Sequence, residues 1–381
     1  MPADSPQRGP LLANLAESFY YTSDLDHCIA RLEELLPLAR AAGDRSLGTW
    51  AELRKAELGF LADPHGTTIE VVRAQAVDAI STFEQLGDGG RLAGALTVLS
   101  MCGWVAGAAD EMLQTSERAL SLARHAKDWR TIPLAASYLG RALVLGATPC
   151  SEAEERLRSL IDDLEGERMA QATCRLMVAI ILAMLERFDE ARGHVTFSRS
   201  VFEDLGQRRW LAAASGTEGL VASAEGKLDE AERGLRAGYS FFQRQHDTAN
   251  AVRAATDLSQ VLCELGRFDE AGALADEVAK GAGAHALEEQ VGWRCVKARV
   301  LATRGEFDEA EALARQALDL ISPTEFLDFQ ADALVHLGEV LRAAGRTSDA
   351  AEALQQAIDA YDLKGDLAGE HKARDRLTSW S

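Results

Sequence analysis

The sequence predicts an all-α, right-handed superhelical solenoid of helical hairpins with a period of about 40 residues. Three observations carry that prediction. A short glycine-to-alanine motif returns at spacings of 40, 40, 39 and 40 residues. A second marker falls between its copies. The composition is dominated by helix formers, with only 8 prolines in 381 residues.

The motif reads Gly226-Lys-Leu-Asp-Glu-Ala231, Gly266-Arg-Phe-Asp-Glu-Ala271 and Gly305-Glu-Phe-Asp-Glu-Ala310. A degenerate copy runs from Gly345 to Ala350, and an earlier one, Glu186 to Ala191, lacks the glycine. Glycine ends a first helix in the left-handed conformation, where a Cβ costs ~1–2 kcal/mol. The acidic pair opens a second helix, where the helix dipole favours negative charge. Alanine lets the two helices approach closely, and a bulkier residue would overpack the contact. Gly226, Gly266, Gly305 and Gly345, with Ala191, Ala231, Ala271, Ala310 and Ala350, are therefore structural positions.

The second marker is a Gly-Asp-like step that ends second helices: Gly43-Asp44, Gly87-Asp88, Lys127-Asp128, His246-Asp247 and Gly365-Asp366, with Gly166-Glu167 and Gly206-Gln207 in two of the gaps. It carries the repeat into the first half, where the turn motif has drifted to Pro64 with Gly66, Gly107, and Gly146 with Pro149. Between markers the apolar residues keep helical spacing, as in Phe307, Ala310, Leu313, Ala314, Ala317, Leu318 and Ile321. The expected organisation is a flexible N-terminus over 1–9, about nine hairpins over 10–365, and a capping helix and tail over 366–381.

These residues resemble tetratricopeptide (TPR) repeats: small residues at Gly219, Ser259, Ala298 and Gly338 of the first helices, and the recurring alanine of the second. The unit is longer than the usual ~34 residues, so its helices should be longer too. Segments such as "RFDEARGHVTFSRSVFEDLG" and "EEQVGWRCVKARVLATRGEFDEAEALARQAL" further resemble the C-terminal solenoid of bacterial adenylate/guanylate cyclase–AAA ATPase–TPR signalling proteins, related to the solenoids of large LuxR-type regulators. That resemblance implies a bacterial regulatory sensor, with cyclase and ATPase domains as linked partners. The chain would then be a fragment or a standalone relative. No GxxxxGK[ST] loop is present, so neither activity carries over to any residue.

Composition narrows the partners. The formal charge of −20 repels phosphate backbones and anionic lipid, which argues against direct nucleic-acid or membrane binding. The longest apolar run, Met177 to Leu185, is far below the ~20 residues a bilayer span needs. No apolar leader follows Met1. Six cysteines without a CxxC pair read as free thiols in a reducing cytoplasm. No metal or cofactor is expected. The eight histidines are dispersed without HExxH, and His125 and His246 fall at helix ends as capping residues. Ser215-Gly-Thr-Glu-Gly219 lies in a predicted helix, so it is no nucleophile elbow. Asp162-Asp163 and Glu288-Glu289 read as solvated helix faces.

The remaining candidates come from solenoid geometry. First helices line the concave face, at positions 13, 10, 6 and 3 residues before the turn glycine. Counting back gives Arg253, Thr256, Gln260, Cys295, Arg299, Asp332, Glu339 and Arg342, with Trp104 ahead of Gly107. The arginines suit an anionic ligand or a carboxylate-bearing peptide, unless Arg299 and Arg342 pair with nearby acids. Trp50, Trp129, Trp210 and Trp293 sit at first helices and read as packing between repeats; Tyr20-Tyr21 is ambiguous. The expected function is a protein-interaction or regulatory solenoid with a protein or peptide partner. The alternatives are a small-molecule effector in the concave channel and, remotely, an enzyme with its site in the groove.

Overall fold

The computed structural model describes residues 7–21 and 24–380, and these form nineteen helices with no strand among them. They are α1 (Arg8–Tyr21), α2 (Leu25–Ala42), α3 (Arg45–Ala62), α4 (Ile69–Leu86), α5 (Gly89–Ala106), α6 (Ala109–Ala126), α7 (Thr131–Leu145), α8 (Cys150–Asp163), α9 (Arg168–Met184), α10 (Phe188–Asp204), α11 (Arg208–Ala224), α12 (Leu228–Arg244), α13 (Thr248–Glu264), α14 (Phe268–Gly281), α15 (Leu287–Thr303), α16 (Phe307–Ile321), α17 (Leu327–Ala343), α18 (Thr347–Lys364) and α19 (Leu367–Trp380). From α1 to α18 each odd helix pairs with the even helix after it, except that α7 packs mainly on α6 and α9 and only lightly on α8, and the pairs stack into a solenoid of the predicted all-α class. Of the segment expected to be flexible, residues 1–6 lie outside the described residues, while Arg8 and Gly9 belong to α1. The side chain of Tyr21 is also outside the description.

The turns form for the reasons their residues suggest. Gly226, Gly266, Gly305 and Gly345 have φ of 81°, 73°, 80° and 78°. At Gly305 the following two N–H groups return to the helix end: Gly305 N–H to Ala302 O at 3.2 Å and Glu306 N–H to Leu301 O at 3.1 Å. Glu186 keeps the same left-handed geometry, φ 58°, without being glycine. The Gly-Asp step does two jobs. Its first residue closes a second helix in the left-handed region, and Asp44, Asp88 and Asp247 accept hydrogen bonds from Leu47, Arg91 and Asn250 N–H as N-caps of the next helix. Lys127 and His246 adopt this conformation at φ 53° and 54° despite their Cβ atoms.

Packing explains the small residues. All five repeat alanines are fully buried. A Cβ on Gly219 would come within 2.9 Å of Ala231 O, and one on Gly338 within 3.3 Å of Ala350 O, so the paired helices touch at backbone distance. On the outer face the residue after the turn acts as a clamp. Arg187, Arg267 and Arg346 reach Glu154, Glu232 and Glu311 of the preceding repeat at 2.7, 2.7 and 2.6 Å, while each also pairs with an acid of its own repeat. Trp50, Trp210 and Trp293 pack against the core, and Trp210 stacks on Phe202. Trp129 departs from the expected packing role. It stands in the turn before α7, 65% exposed, with the Arg130 guanidinium 4.9 Å from its ring.

The superhelix then closes on itself. Helix α13 touches α3, α15 touches α5 and α19 touches α9, each ten helices further on, so five hairpins complete one turn and the next turn lies against it. Polar contacts fasten the turns. Asp110 N–H donates to Glu325 Oε2 at 2.9 Å, and the Trp104 indole N–H to Glu288 Oε1 at 2.8 Å. Lys364 is wholly buried at the end of α18, and its ammonium donates to Leu143 O, Gly146 O and Thr148 O at 3.1, 2.5 and 2.8 Å. These are carbonyls at and beyond the C-terminus of α7, where a cation also meets the favourable end of the helix dipole. Helix α19 crosses onto the preceding turn, with Lys372 donating to Ser223 O at 2.7 Å and His371 paired with Glu186 at 2.8 Å.

Two outcomes test this account. Lys127→Gly should stabilise the chain by up to ~1 kcal/mol in urea unfolding, because it removes a Cβ from the left-handed region. Lys364→Met should cost about 3 kcal/mol, because three carbonyls lose their buried charge-assisted donor. Small-angle scattering of that variant should show a larger radius of gyration as the turns separate.

Candidate functional site

Closure turns the concave face into an internal channel lined chiefly by odd-numbered helices, α19 among them. The channel has two lobes. The smaller holds about 70 Å³, with Tyr20, Trp104, Tyr138, Arg209 and Glu289 on its walls. The larger holds about 540 Å³ and runs along Arg141, Gln260, Asp332, His336 and Lys372. That volume lies within the range of ligand pockets, roughly 300–1,000 Å³. Arg253 and Glu288 line both lobes and mark their junction.

Trp104 organises the junction. Its indole N–H is taken by Glu288, its face is covered by the Arg141 guanidinium at 4.3 Å, and Arg253 lies 6.0 Å from the ring. Arg253 pairs with Asp257 at 3.3 Å. Burial pushes the Asp257 carboxyl up to about 6, against the pull of Arg253. In the smaller lobe Tyr20 donates to Glu57 Oε1 at 2.8 Å, and Arg209 pairs at 2.8 Å with the fully buried Asp247. In the larger lobe Tyr361 donates to Asp332, whose side chain is exposed on the channel wall. Burial first, and then Arg299, holds His336 neutral, with its pKa down at about 3.

The candidates read from the sequence divide into three groups. Trp104, Arg253, Gln260 and Asp332 line the channel. Arg299 and Glu339 belong to a closed ring with Glu264 and Arg376: Arg299 meets Glu264 at 2.5 Å and Glu339 at 2.7 Å, and Arg376 meets the same two acids at 2.8 and 3.0 Å. The ring joins α13, α15, α17 and α19, so Arg299 is occupied by acids from neighbouring helices. Thr256, Cys295 and Arg342 do not reach the channel. Thr256 is buried with its methyl over Gly292, where a Cβ would lie 2.2 Å away. Cys295 is buried, which raises its thiol far above the ordinary range, and Arg342 is exposed with its guanidinium 5.0 Å from the Trp380 ring.

One expectation is overturned. Glu288 and Glu289 are not a solvated face; both line the channel. They occupy the first turn of α15, which abuts α5 of the adjoining turn, and helical periodicity carries no information about a neighbour ten helices away. Asp162 and Asp163 are exposed as expected. Sequence reasoning also passed over Arg141, Arg209, His336 and Tyr361. Arg141 precedes Gly146, whose φ of −74° departs from the left-handed turns, so the count-back rule had no anchor there. All six cysteines are buried free thiols, no group of three or more potential metal ligands occurs among the described residues, and no helix there is long and apolar enough to cross a membrane.

Residues 293–362 match the tetratricopeptide repeat family model. No curated protein sequence matches the chain. Among solved structures, the chain is similar to a Rap protein complexed with Competence and Sporulation Factor, with a TM-score of 0.65 at 14% identity over 98% of this chain and 99% of that one. It is also similar to the Rap conjugation gene regulator of the plasmid pLS20 in complex with the Phr* peptide, with a TM-score of 0.51 at 16% identity over 96% and 97%. At these identities the likeness is one of fold, and it extends over nearly the whole solenoid.

The channel carboxyls make stability depend on pH. Burial, then Glu288, pushes Glu289 up to about 8, with Arg253 and Asp257 the other charges near it. The folded state therefore keeps a proton that the unfolded chain releases above about pH 4.3. Its contribution to stability falls as pH rises from about 4.5 to 8 and is level beyond. Glu289→Gln removes that slope. Its melting temperature relative to the parent should climb steadily between pH 5 and 8 in differential scanning fluorimetry.

Proposed function

We propose that this chain is a regulatory solenoid whose channel takes a short peptide, and whose outer surface passes the bound state to a protein partner. The observation that carries the reading is the closed channel itself. It combines about 540 Å³ of space with aromatic walls and charged groups that the protein only partly pairs. A peptide supplies backbone donors and acceptors at every residue, which suits a long wall of alternating polar and apolar groups better than a flat surface does. The fold likeness supports the reading, because one of the similar solenoids was solved in complex with the Phr* peptide and another in complex with Competence and Sporulation Factor. The resemblance to cyclase–ATPase solenoids bears on the same role, in which the partner domain is carried on the same polypeptide.

The turn-to-turn contacts supply a physical route for signalling. A ligand held between helices of adjoining turns binds the closed superhelix more tightly than an open one, so it shifts the population toward closure. The outer faces of the even helices move with that closure, and a partner that recognises one spacing of them senses the ligand.

The purified chain should be screened against hexapeptide pools by thermal shift, with the change in tryptophan fluorescence that is lost in Trp104→Phe as the second readout. A pool present at about 100 times its Kd should stabilise the chain by about 2.7 kcal/mol. Gln260→Trp, which fills the larger lobe, should abolish the shift. A pool that stabilises Gln260→Trp as well as the parent would place the peptide outside the channel. Stabilisation by small metabolites and by no peptide would favour the effector alternative.

A further inference from the structure

Most charges inside the channel are accounted for. Arg253 has Asp257, Arg209 has Asp247, Glu57 has Tyr20 and Arg54, and Arg299 and Arg376 share Glu264 and Glu339. Four groups make no side-chain pair among the described residues: Asp328 and Asp375 in the larger lobe, of which Asp328 lies near the Lys364 ammonium, and two that flank the junction of the lobes, Arg141 and Glu289. The Arg141 guanidinium, on α7, stacks on Trp104 but meets no carboxylate or carbonyl within hydrogen-bonding distance among the described residues. The Glu289 carboxyl, on α15, has no side-chain partner among the described residues, and only its own backbone N–H reaches it. Arg141 is an enclosed charge without a partner, which is costly, and a ligand carboxylate relieves that cost on binding. Glu289 avoids the same cost by keeping its proton up to about pH 8, and a cation entering beside it favours the charged carboxylate and releases that proton to solvent.

Their placement gives the pair a direction. Glu289 lines only the smaller lobe and Arg141 only the larger one, with Arg253 and Glu288 between them. The smaller lobe is walled by Tyr20, Phe60, Trp104 and Tyr138. At about 70 Å³ it suits the end of one side chain rather than a stretch of backbone. Aromatic faces around a carboxylate form a site for an ammonium or guanidinium group. The Arg141 guanidinium stacks on the indole and makes no hydrogen bond among the described residues, so its donors remain for a carboxylate, which a guanidinium matches bidentately.

Resting on the peptide reading above, we propose that the channel selects a peptide of mixed charge. A lysine or arginine side chain enters the small aromatic lobe and pairs with Glu289. A carboxylate, from an acidic side chain or from the C-terminus, lies on Arg141 in the larger lobe. The acidic surface of the chain, −20 in formal charge, also draws the cationic end of such a peptide toward the protein.

The test uses the full chain and hexapeptide pools with one position held as lysine or arginine, against norleucine, and one held as aspartate or glutamate, against the corresponding amide. A parallel set carries amidated C-termini. Binding is measured by titration calorimetry on the parent, Glu289→Gln and Arg141→Gln, each checked for its melting transition. Lysine or arginine pools should bind the parent about tenfold tighter than norleucine pools, and Glu289→Gln should erase that preference while leaving the acidic one. Arg141→Gln should do the converse. Loss of affinity on amidation identifies the C-terminus as the carboxylate, and loss only on Asp or Glu replacement identifies the side chain. Equal binding of charged and neutral pools by the parent, or a basic preference that survives in Glu289→Gln, overturns the assignment alone. Binding of no pool overturns the peptide reading and this assignment with it.

Discussion

The Lys364 ammonium lies against the carbonyls of Leu143, Gly146 and Thr148, the first of them 221 residues away in sequence, and the architecture depends on the closure this contact fastens. A solenoid of helical hairpins has no intrinsic reason to touch itself. Each hairpin contacts its neighbours, and the superhelix is an open spring unless one turn meets the next. Here the meeting occurs after ten helices, and the polar groups that fasten it are buried donors and acceptors with partners on the far turn. A charge in such a place stays because three carbonyls solvate it in place of water and the carboxyls of Asp328 and Asp366 lie near it.

Closure changes what the concave face is. In an open solenoid Trp104, Arg253 and Glu288 would stand on a broad groove filled with bulk water, where charge pairs are weak. Between two turns they share an enclosed space of low polarity. Burial there raises the carboxyls of Asp257 and Glu289 and lowers the imidazole of His336. The ring of Arg299, Glu264, Arg376 and Glu339 uses the same enclosure for a structural end, tying α19 to three inner helices. One charged interior thus holds both the pairs that shape the channel and the groups left for an occupant.

The hairpin period was legible in the sequence because it rests on local chemistry. A glycine at φ near 80°, an aspartate that caps the next helix and an alanine at backbone contact are each determined within a few residues, so Gly305, Asp247 and Ala310 announce their roles directly. Part of the channel was legible by the same logic, since counting back from turn glycines reached Arg253, Gln260 and Asp332. The method lost its register where the turn glycine loses its left-handed conformation, as at Gly146 before the channel residue Arg141. It left Arg299 and Arg342 either free for a ligand or paired with nearby acids; in the structure Arg299 is held by two glutamates, whereas Arg342 lies beside the Trp380 ring and Arg253 faces the cavity.

The sequence by itself determined the helices, their pairing and the inward side of each repeat, because these follow from propensity, capping and periodicity along one stretch of chain. Only the tertiary structure decided that α5 lies against α15 and α9 against α19, and with it which charges are enclosed. The superhelical pitch is a sum of small rotations at every hairpin interface, set by side-chain packing that no single repeat specifies. For that reason Glu289, which reads as one more solvated carboxylate on a helix, stands in the channel facing the neighbouring turn.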